Sequence, residues 1–452
     1  MDHRIFLTMP LGKLFFRCAL PSIISMAISS LYVMVDGVFV GRYIGADALA
    51  AINLVMPAIM ISFALSDMIA VGSSVQIAIH LGQGETGRAR QIFSFSSLLI
   101  VGISCIVGVL GYFGAEPMVR LMGANEAVTA LSAQYMRCYA VFAPAIMIFF
   151  ALDNYLRICG KPIYSMAINI GMSVVNIALD WLFIAHLGYG VWSAALASCI
   201  SLTLGTLCGL APFLRGRLTL RFCRPRITAH IVRNIVANGS SELFSNISSS
   251  VFMVLLNTAL LRISGSQAVA AFSIVLYIDS FVSSMLFGMV DSLQPAISCN
   301  YGAKQDGRMY GLEKRVMLAG AVLCISVMLF MRVGHSAIIP FFIQENDTAL
   351  LTMATRAMML FSFSYLFSWV GTACSGFFTA LNRPGLSLLL SLAQTLVFPL
   401  AALLILPALL GLDGIWLTAF AAKFLTAILS GGCLLWLRRV HAKERVGAES
   451  LQ

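Results

Sequence analysis

Charge is the scarcest property of this 452-residue sequence: Asp, Glu, Lys and Arg make up only 11% of it, against 60% hydrophobic residues. No soluble protein of this size needs so much apolar surface, and with a mean hydropathy of +0.92 the chain reads as a polytopic membrane protein. The eleven cysteines stand singly, without a C-x-x-C pair, so neither a disulfide framework nor a zinc site is expected, and they read as buried, inert thiols. The six histidines lack metal-ligand spacing. There is no P-loop, which removes ATP as a direct energy source, and no Ser-His-Asp set can be assembled, so no enzyme is expected. Met1–Arg17 lacks an apolar core followed by a small-residue cleavage site, so the first span is expected to serve as its own insertion signal. Apolar residues run continuously over about 20 positions or more instead of alternating, which excludes a β-barrel.

Twelve apolar stretches are present, at approximately 14–40, 48–78, 90–113, 130–156, 162–185, 190–213, 230–261, 267–298, 312–333, 350–380, 385–408 and 414–437. Several exceed what one crossing requires, so tilts and kinks are expected. The net charge of +10 follows membrane sidedness, with no sign of nucleic-acid binding. With the N-terminus inside, 22 Lys and Arg fall in inner loops, six (Arg42, Arg120, Arg137, Arg262, Arg332 and Arg356) fall outside, and Lys423 lies within a span. That bias places both termini in the cytoplasm. The arginines between residues 215 and 233 mark a basic cytoplasmic linker. The expected segmentation is a six-helix lobe at 1–214, the linker at 215–233, a second six-helix lobe at 234–440, and a cytoplasmic tail at 441–452.

The halves repeat. Arg42-Tyr-Ile-Gly45 and Ala50-Ala51 match Arg262-Ile-Ser-Gly265 and Ala270-Ala271 at an offset of 220. Gln76, Gly84 and Gly87-Arg88 match Gln294, Gly302 and Gly307-Arg308. Gly160-Lys-Pro162 answers Asn382-Arg-Pro384, and Gly190-Val-Trp192 answers Gly414-Ile-Trp416. An even number of spans per half keeps the repeats in one orientation, a plan common among transporters with a central cleft.

The span beginning at Pro162 carries Asn169, Ser173, Asn176 and Asp180 on one helical face. A carboxylate at membrane depth is costly and by default marks an ion or substrate pathway. The first span offers Ser25, Ser29, Tyr32 and Asp36 at similar spacing, with Pro21 inside the helix as a hinge. Asp36 and Asp180 are expected to share one cavity, holding a proton or a cation between them. Their repeat counterparts, Leu256 for Asp36 and Ala402 or Leu404 for Asp180, cannot ionise, so the ionisable site belongs to the N-terminal lobe. Asp67, Glu242, Asp279, Asp291 and Lys423 also fall in or at the ends of spans. Glu242, with Gln294 and Tyr32, is a candidate for the substrate cleft, and Lys423 is expected to pair with one of the acids. Asp153 and Asn154 read as capping or packing residues.

Pro21 through Val35-Asp-Gly-Val-Phe-Val-Gly41, Ala48-Leu-Ala-Ala51, Asn176-Ile-Ala-Leu-Asp180 and Gln294-Pro-Ala-Ile-Ser-Cys-Asn-Tyr-Gly-Ala303 together resemble the MATE (multidrug and toxic compound extrusion) family, nearest its DinF/MepA-like bacterial branch. The resemblance covers nearly the whole chain and implies an all-α transporter of twelve helices in two pseudo-symmetric lobes. It implies an antiporter that exports amphipathic, often cationic drugs as Na⁺ or H⁺ moves inward, by alternating access. The cation site would fall on Asp36, Asn176, Asp180 and Ser198, a Ser where the family often has Thr; Asp36, Asn176 and Asp180 would ligate Na⁺ if that is the ion. Bending of the first helix would fall on Pro21. No cofactor beyond the coupling ion is implied. The expected partners are small-molecule substrates and the lipid bilayer of a bacterial cytoplasmic membrane, with no nucleic acid and a monomer as the default. Two alternatives stand beside this reading. A lipid-linked saccharide flippase of the same wider superfamily usually has more spans and a strongly cationic cleft. A scaffold or sensor would leave the buried carboxylates unexplained.

Overall fold

The computed structural model describes residues 4–121, 126–226, 228–339 and 348–449; the outermost ends of the expected segmentation, residues 1–3 and 450–452, lie outside them. The described residues form helices and connecting turns, without strands. After a short turn at Ile5–Thr8, α1 spans Leu11–Phe39 and continues in a wide π-helical turn, Val40–Ile44. Then come α2 (Ala46–Gly82), α3 (Thr86–Leu121), α4 (Glu126–Ile158), α5 (Pro162–Asp180, extended by the π-turn Trp181–His186) and α6 (Val191–Leu214). They are followed by α7 (Ala229–Gly265), α8 (Gln267–Gly302) and α9 (Asp306–Ile338). A bent pair, α10 (Leu350–Leu366) and α11 (Ser368–Ala380), meets at 42°, and α12 (Pro384–Leu410) and α13 (Leu412–Val440) complete the chain. Eleven helices are long and apolar enough to cross a bilayer, and up to twelve crossings result if the bent pair is one span.

The sequence repeat reappears in the backbone. Gly160 (φ 73°) and Asn382 (φ 54°) both take the left-handed conformation. Asn is among the few non-glycine residues that tolerate it. Each is followed two residues later by a proline in the first turn of the next helix, where its missing N–H costs nothing.

The described chain divides into two compact units. The first comprises Met1–Asn246, Asp291–Leu312 and Ala380–Asn382; the second comprises Ile247–Val290, Glu313–Thr379 and Arg383–Gln452. Glu242, read from the sequence with the C-terminal half, thus packs in the first unit. The core of that unit centres on Phe93, which stacks on Phe213 at 5.0 Å and meets Tyr155 edge-on at 5.1 Å.

Two helix crossings in the first unit are backbone-to-backbone. A methyl group on Gly239 of α7 would fall 1.7 Å from the Met68 carbonyl oxygen of α2, and one on Gly72 would fall 2.0 Å from the Ile235 oxygen. Ten residues further along α2, Gly82 and Gly302 bring α2 and α8 equally close, with 2.1 Å to the Cys299 oxygen and 2.2 Å to the Ile79 oxygen. Small residues at such crossings replace side-chain bulk with backbone contact, the usual means of tight helix association in a membrane. In the second unit the fully buried Trp416 stacks on Phe272 at 5.2 Å.

Candidate functional site

The polar faces of α1 and α5 meet in the first unit. Asp180 is fully buried and Asn176 is 1% exposed. In the amide orientation that satisfies both partners, Asn176 Nδ2 donates to Asp180 Oδ2 at 3.1 Å. Its Oδ1 accepts from the Ser198 hydroxyl at 3.0 Å and from the Ser198 backbone N–H at 3.3 Å. The Asp36 carboxyl lies against that of Asp180. Asp36 Oδ1 and Asp180 Oδ1 are both buried without a hydrogen-bond partner, and among the described residues neither carboxylate enters an ion pair. Tyr32 sits near both. Five residues singled out in the sequence therefore converge: Tyr32, Asp36, Asn176, Asp180 and Ser198.

Local backbone supports the convergence. Val40 N–H, which opens the π-turn of α1, reaches back to the carbonyls of Asp36 and Gly37. The π-turn of α5 begins at Trp181, directly after Asp180. Such widened turns are energetically poorer than α-helix and recur at functional sites. Pro21 lies inside the otherwise continuous α1, fifteen residues and therefore about 22 Å along the axis from Asp36. Tyr139 of α4 also belongs to the pocket: its phenol faces Ser198 and its ring leans on Tyr135 at 5.2 Å. The sequence analysis passed over it, although Tyr135 and Tyr139 stand four residues apart on one helical face.

The remaining candidates form a second cluster. Gln294 donates to Asp291 at 2.9 Å, and Asp291, Asp67 and Glu242 are close enough to act on one another electrostatically. Glu242 and Gln294, expected with Tyr32 in a substrate cleft, are thus brought together with Asp67 and Asp291. Arg157, expected among the loop cations, is 5% exposed and paired with Asp153. Asp153 also accepts from Ser165 and, at 2.9 Å, from Asn169. The polar stripe of α5 is thus split, its first turns tied to α4 and its last turns facing Asp36. Among the described residues no group of three or more His, Cys, Asp or Glu is arranged to hold a metal ion.

Comparison with known proteins places this geometry in a family. The MatE family model matches residues 21–182 and 243–403. The chain is 26% identical to a multidrug export protein, MepA, of Staphylococcus saprophyticus over 417 residues, 91% of this chain and 90% of that protein. Its fold superposes on a MATE crystal structure in a straight conformation with a TM-score of 0.92 at 23% identity, over 98% of this chain and 99% of the other. A bent MATE conformation gives 0.88 at 24% identity, over 99% of each. The two matched stretches hold α1 through α5 from Pro21 to Leu182 and again α7 through most of α12, so that Pro21 and both aspartates fall within them: the chain belongs to the MatE family and is a membrane transporter, not an enzyme.

Proposed function

We propose that this transporter exports amphipathic, often cationic small molecules from a bacterial cell, coupled to inward movement of Na⁺ or H⁺ through the Asp36–Asp180 pocket. The observation that carries the proposal is the pair of touching carboxylates, each with a buried, unpartnered oxygen and without a cationic side chain to neutralise it. Two unit charges about 4 Å apart repel by about 4 kcal/mol at an effective dielectric constant of about 20. A bound cation or proton removes that term. The two carboxylates offer oxygen ligands, with the Ser198 hydroxyl behind them; Asn176 donates its N–H to Asp180 here and would turn its amide to present the oxygen to a cation. Hard cations such as Na⁺ suit oxygen ligands, and a proton shared between the carboxylates satisfies the same charge balance.

Asp36 and Asp180 lie on different helices, so loading the pocket changes the force between α1 and α5. Pro21 leaves α1 one backbone hydrogen bond short and gives that force a place to bend the helix. In this cycle the ion-loaded pocket favours release of the exported compound on the outer side and the empty pocket favours its capture within. Each charge entering through the full membrane potential contributes about 2.3 kcal/mol per 100 mV. The relative named for multidrug export supports the substrate class, and the charge bias of the loops supports cytoplasmic termini in a cytoplasmic membrane.

The test is ethidium efflux from proteoliposomes under separately imposed Na⁺ and pH gradients, comparing wild type with Asp36→Asn. Efflux driven by one gradient and lost in the variant is expected. Efflux that ignores both gradients, or that survives the substitution, overturns the coupling site.

A further inference from the structure

Lys423 of α13 carries a charge into the apolar interior of the second unit, where charges are expensive. Its ammonium lies 3.5 Å from Asp279 Oδ1 of α8. It also stands 5.5 Å from the ring centre of Phe361 and 5.4 Å from that of Tyr365. The Tyr365 hydroxyl donates to the same Asp279 oxygen at 3.1 Å, which fixes the ring and carboxylate relative to each other. Phe361 meets Tyr365 edge-on at 6.0 Å and Phe272 at 5.7 Å. The result is a carboxylate framed by two aromatic rings. The side chains of Lys423 and Asp279 are 19% and 23% exposed, so the pair is not sealed inside the unit.

We propose that this carboxylate-and-aromatic frame is a recognition site for lipophilic organic cations, and that the Lys423 ammonium is a tethered occupant which the incoming cation displaces. The proposal rests on the export reading above for its substrate class. A ring face and a carboxylate are the groups that recognise a bulky, weakly hydrated cation. A lysine ammonium is compact and strongly hydrated, and its 3.5 Å approach is well outside the 2.7–2.9 Å of a firm charge-assisted hydrogen bond. The frame suits another cation better than the one it holds. A tethered competitor keeps Asp279 neutralised when no substrate is bound and speeds release by reclaiming the site. None of the four groups belongs to the Asp36–Asp180 pocket, so ion and exported compound would bind in different units.

The experiment is equilibrium binding of tetraphenylphosphonium to the full-length protein in lipid nanodiscs, with proteoliposome efflux of the same cation run in parallel on wild type. Lys423→Gln is expected to tighten binding about tenfold, the equivalent of one charge-assisted contact. Asp279→Asn/Lys423→Gln is expected to abolish that gain; removing both partners of a buried pair is tolerated better than removing one. Tyr365→Leu leaves the ion pair in place and is expected to weaken binding about threefold through its lost ring face. It tests the site even if Lys423→Gln fails to fold. A dissociation constant unchanged in Tyr365→Leu, or a double variant that binds as tightly as Lys423→Gln, overturns the site. Efflux by wild type with no response in these variants refutes the site alone. Binding changes as expected without wild-type efflux refute the export reading and leave the site standing.

Discussion

Replacing Asp36 by Asn tests the pocket without any transport measurement. The amide keeps the shape of the side chain and removes one of the two charges that meet at Asp180. If the wild-type pocket binds its coupling ion only when folded, the ion stabilises the protein by RT ln(1 + [L]/Kd), about 2.7 kcal/mol at a hundredfold excess over Kd. The repulsion of about 4 kcal/mol between two ionised carboxylates at about 4 Å is the reservoir from which that stabilisation is drawn. For a chain of this length the scaling of unfolding entropy converts about 2.7 kcal/mol to a rise in Tm of about 3 °C. The assay is thermal unfolding of the purified protein at constant ionic strength, with Na⁺ replacing a bulky organic cation, and then across falling pH without Na⁺. Wild type is expected to be stabilised by one of the two ions. Asp36→Asn is expected to melt above the ion-free wild type and to respond to neither. A wild type indifferent to both ions, or a variant that responds as strongly as wild type, refutes the shared-cation account.

Two further outcomes follow from the helix geometry. Gly239→Ala forces a methyl group to 1.7 Å from the Met68 carbonyl and is expected to cost about 1–3 kcal/mol as α2 and α7 separate. Gly431→Ala, with nothing within 4 Å, is its neutral control, and equal melting temperatures for the two variants would show that the crossing is looser than described. Pro21→Ala restores the missing hydrogen bond in α1, so it is expected to keep the ion-dependent rise in Tm while cutting ethidium efflux at least tenfold, a drop of about 1.4 kcal/mol or more in transport competence. Undiminished efflux in that variant would remove the hinge.

Much of the molecule was legible in its sequence because membrane insertion leaves a strong one-dimensional record. Span number and the repeat were written in continuous apolar runs and in turn residues whose backbone demands are local, such as Gly160 and Asn382. The pocket was legible for a related reason. Asn176 and Asp180 stand four residues apart on a helix, so their shared face required no knowledge of tertiary structure, and a carboxylate at membrane depth needs an explanation wherever it sits. What periodicity could not supply was the partner on another helix. Asp153 was legible as a capping or packing residue, but nothing in the spacing shows that it accepts from Ser165 and Asn169. Arg157 looked like a loop charge because sequence places it at the end of a span but not inside a buried ion pair. Glu242 was read with its own half, whereas Gly72 and Gly239 draw the start of α7 onto α2. Glycine contacts of this kind carry no hydrophobic signature.

The two halves also show where duplication stops determining chemistry. Turns are kept to the level of φ at Gly160 and Asn382, yet the positions corresponding to Asp36 and Asp180, Leu256 and either Ala402 or Leu404, are apolar. In the second unit Asp279 and Lys423 are paired with each other, while Glu313 is buried with its Oε1 unpartnered. The first unit therefore holds two carboxylates in one pocket without a cation, and the second holds a carboxylate that carries its own. A site that must take up an ion from solution needs uncompensated charge, whereas one that must let a cation go is helped by a competitor within reach. If the halves divide their labour in this way, Asp279→Asn/Lys423→Gln should leave the ion-dependent rise in Tm at its wild-type value while Asp36→Asn abolishes it. A double variant that loses the ion response would mean that the two sites are one system and that the division of labour does not exist.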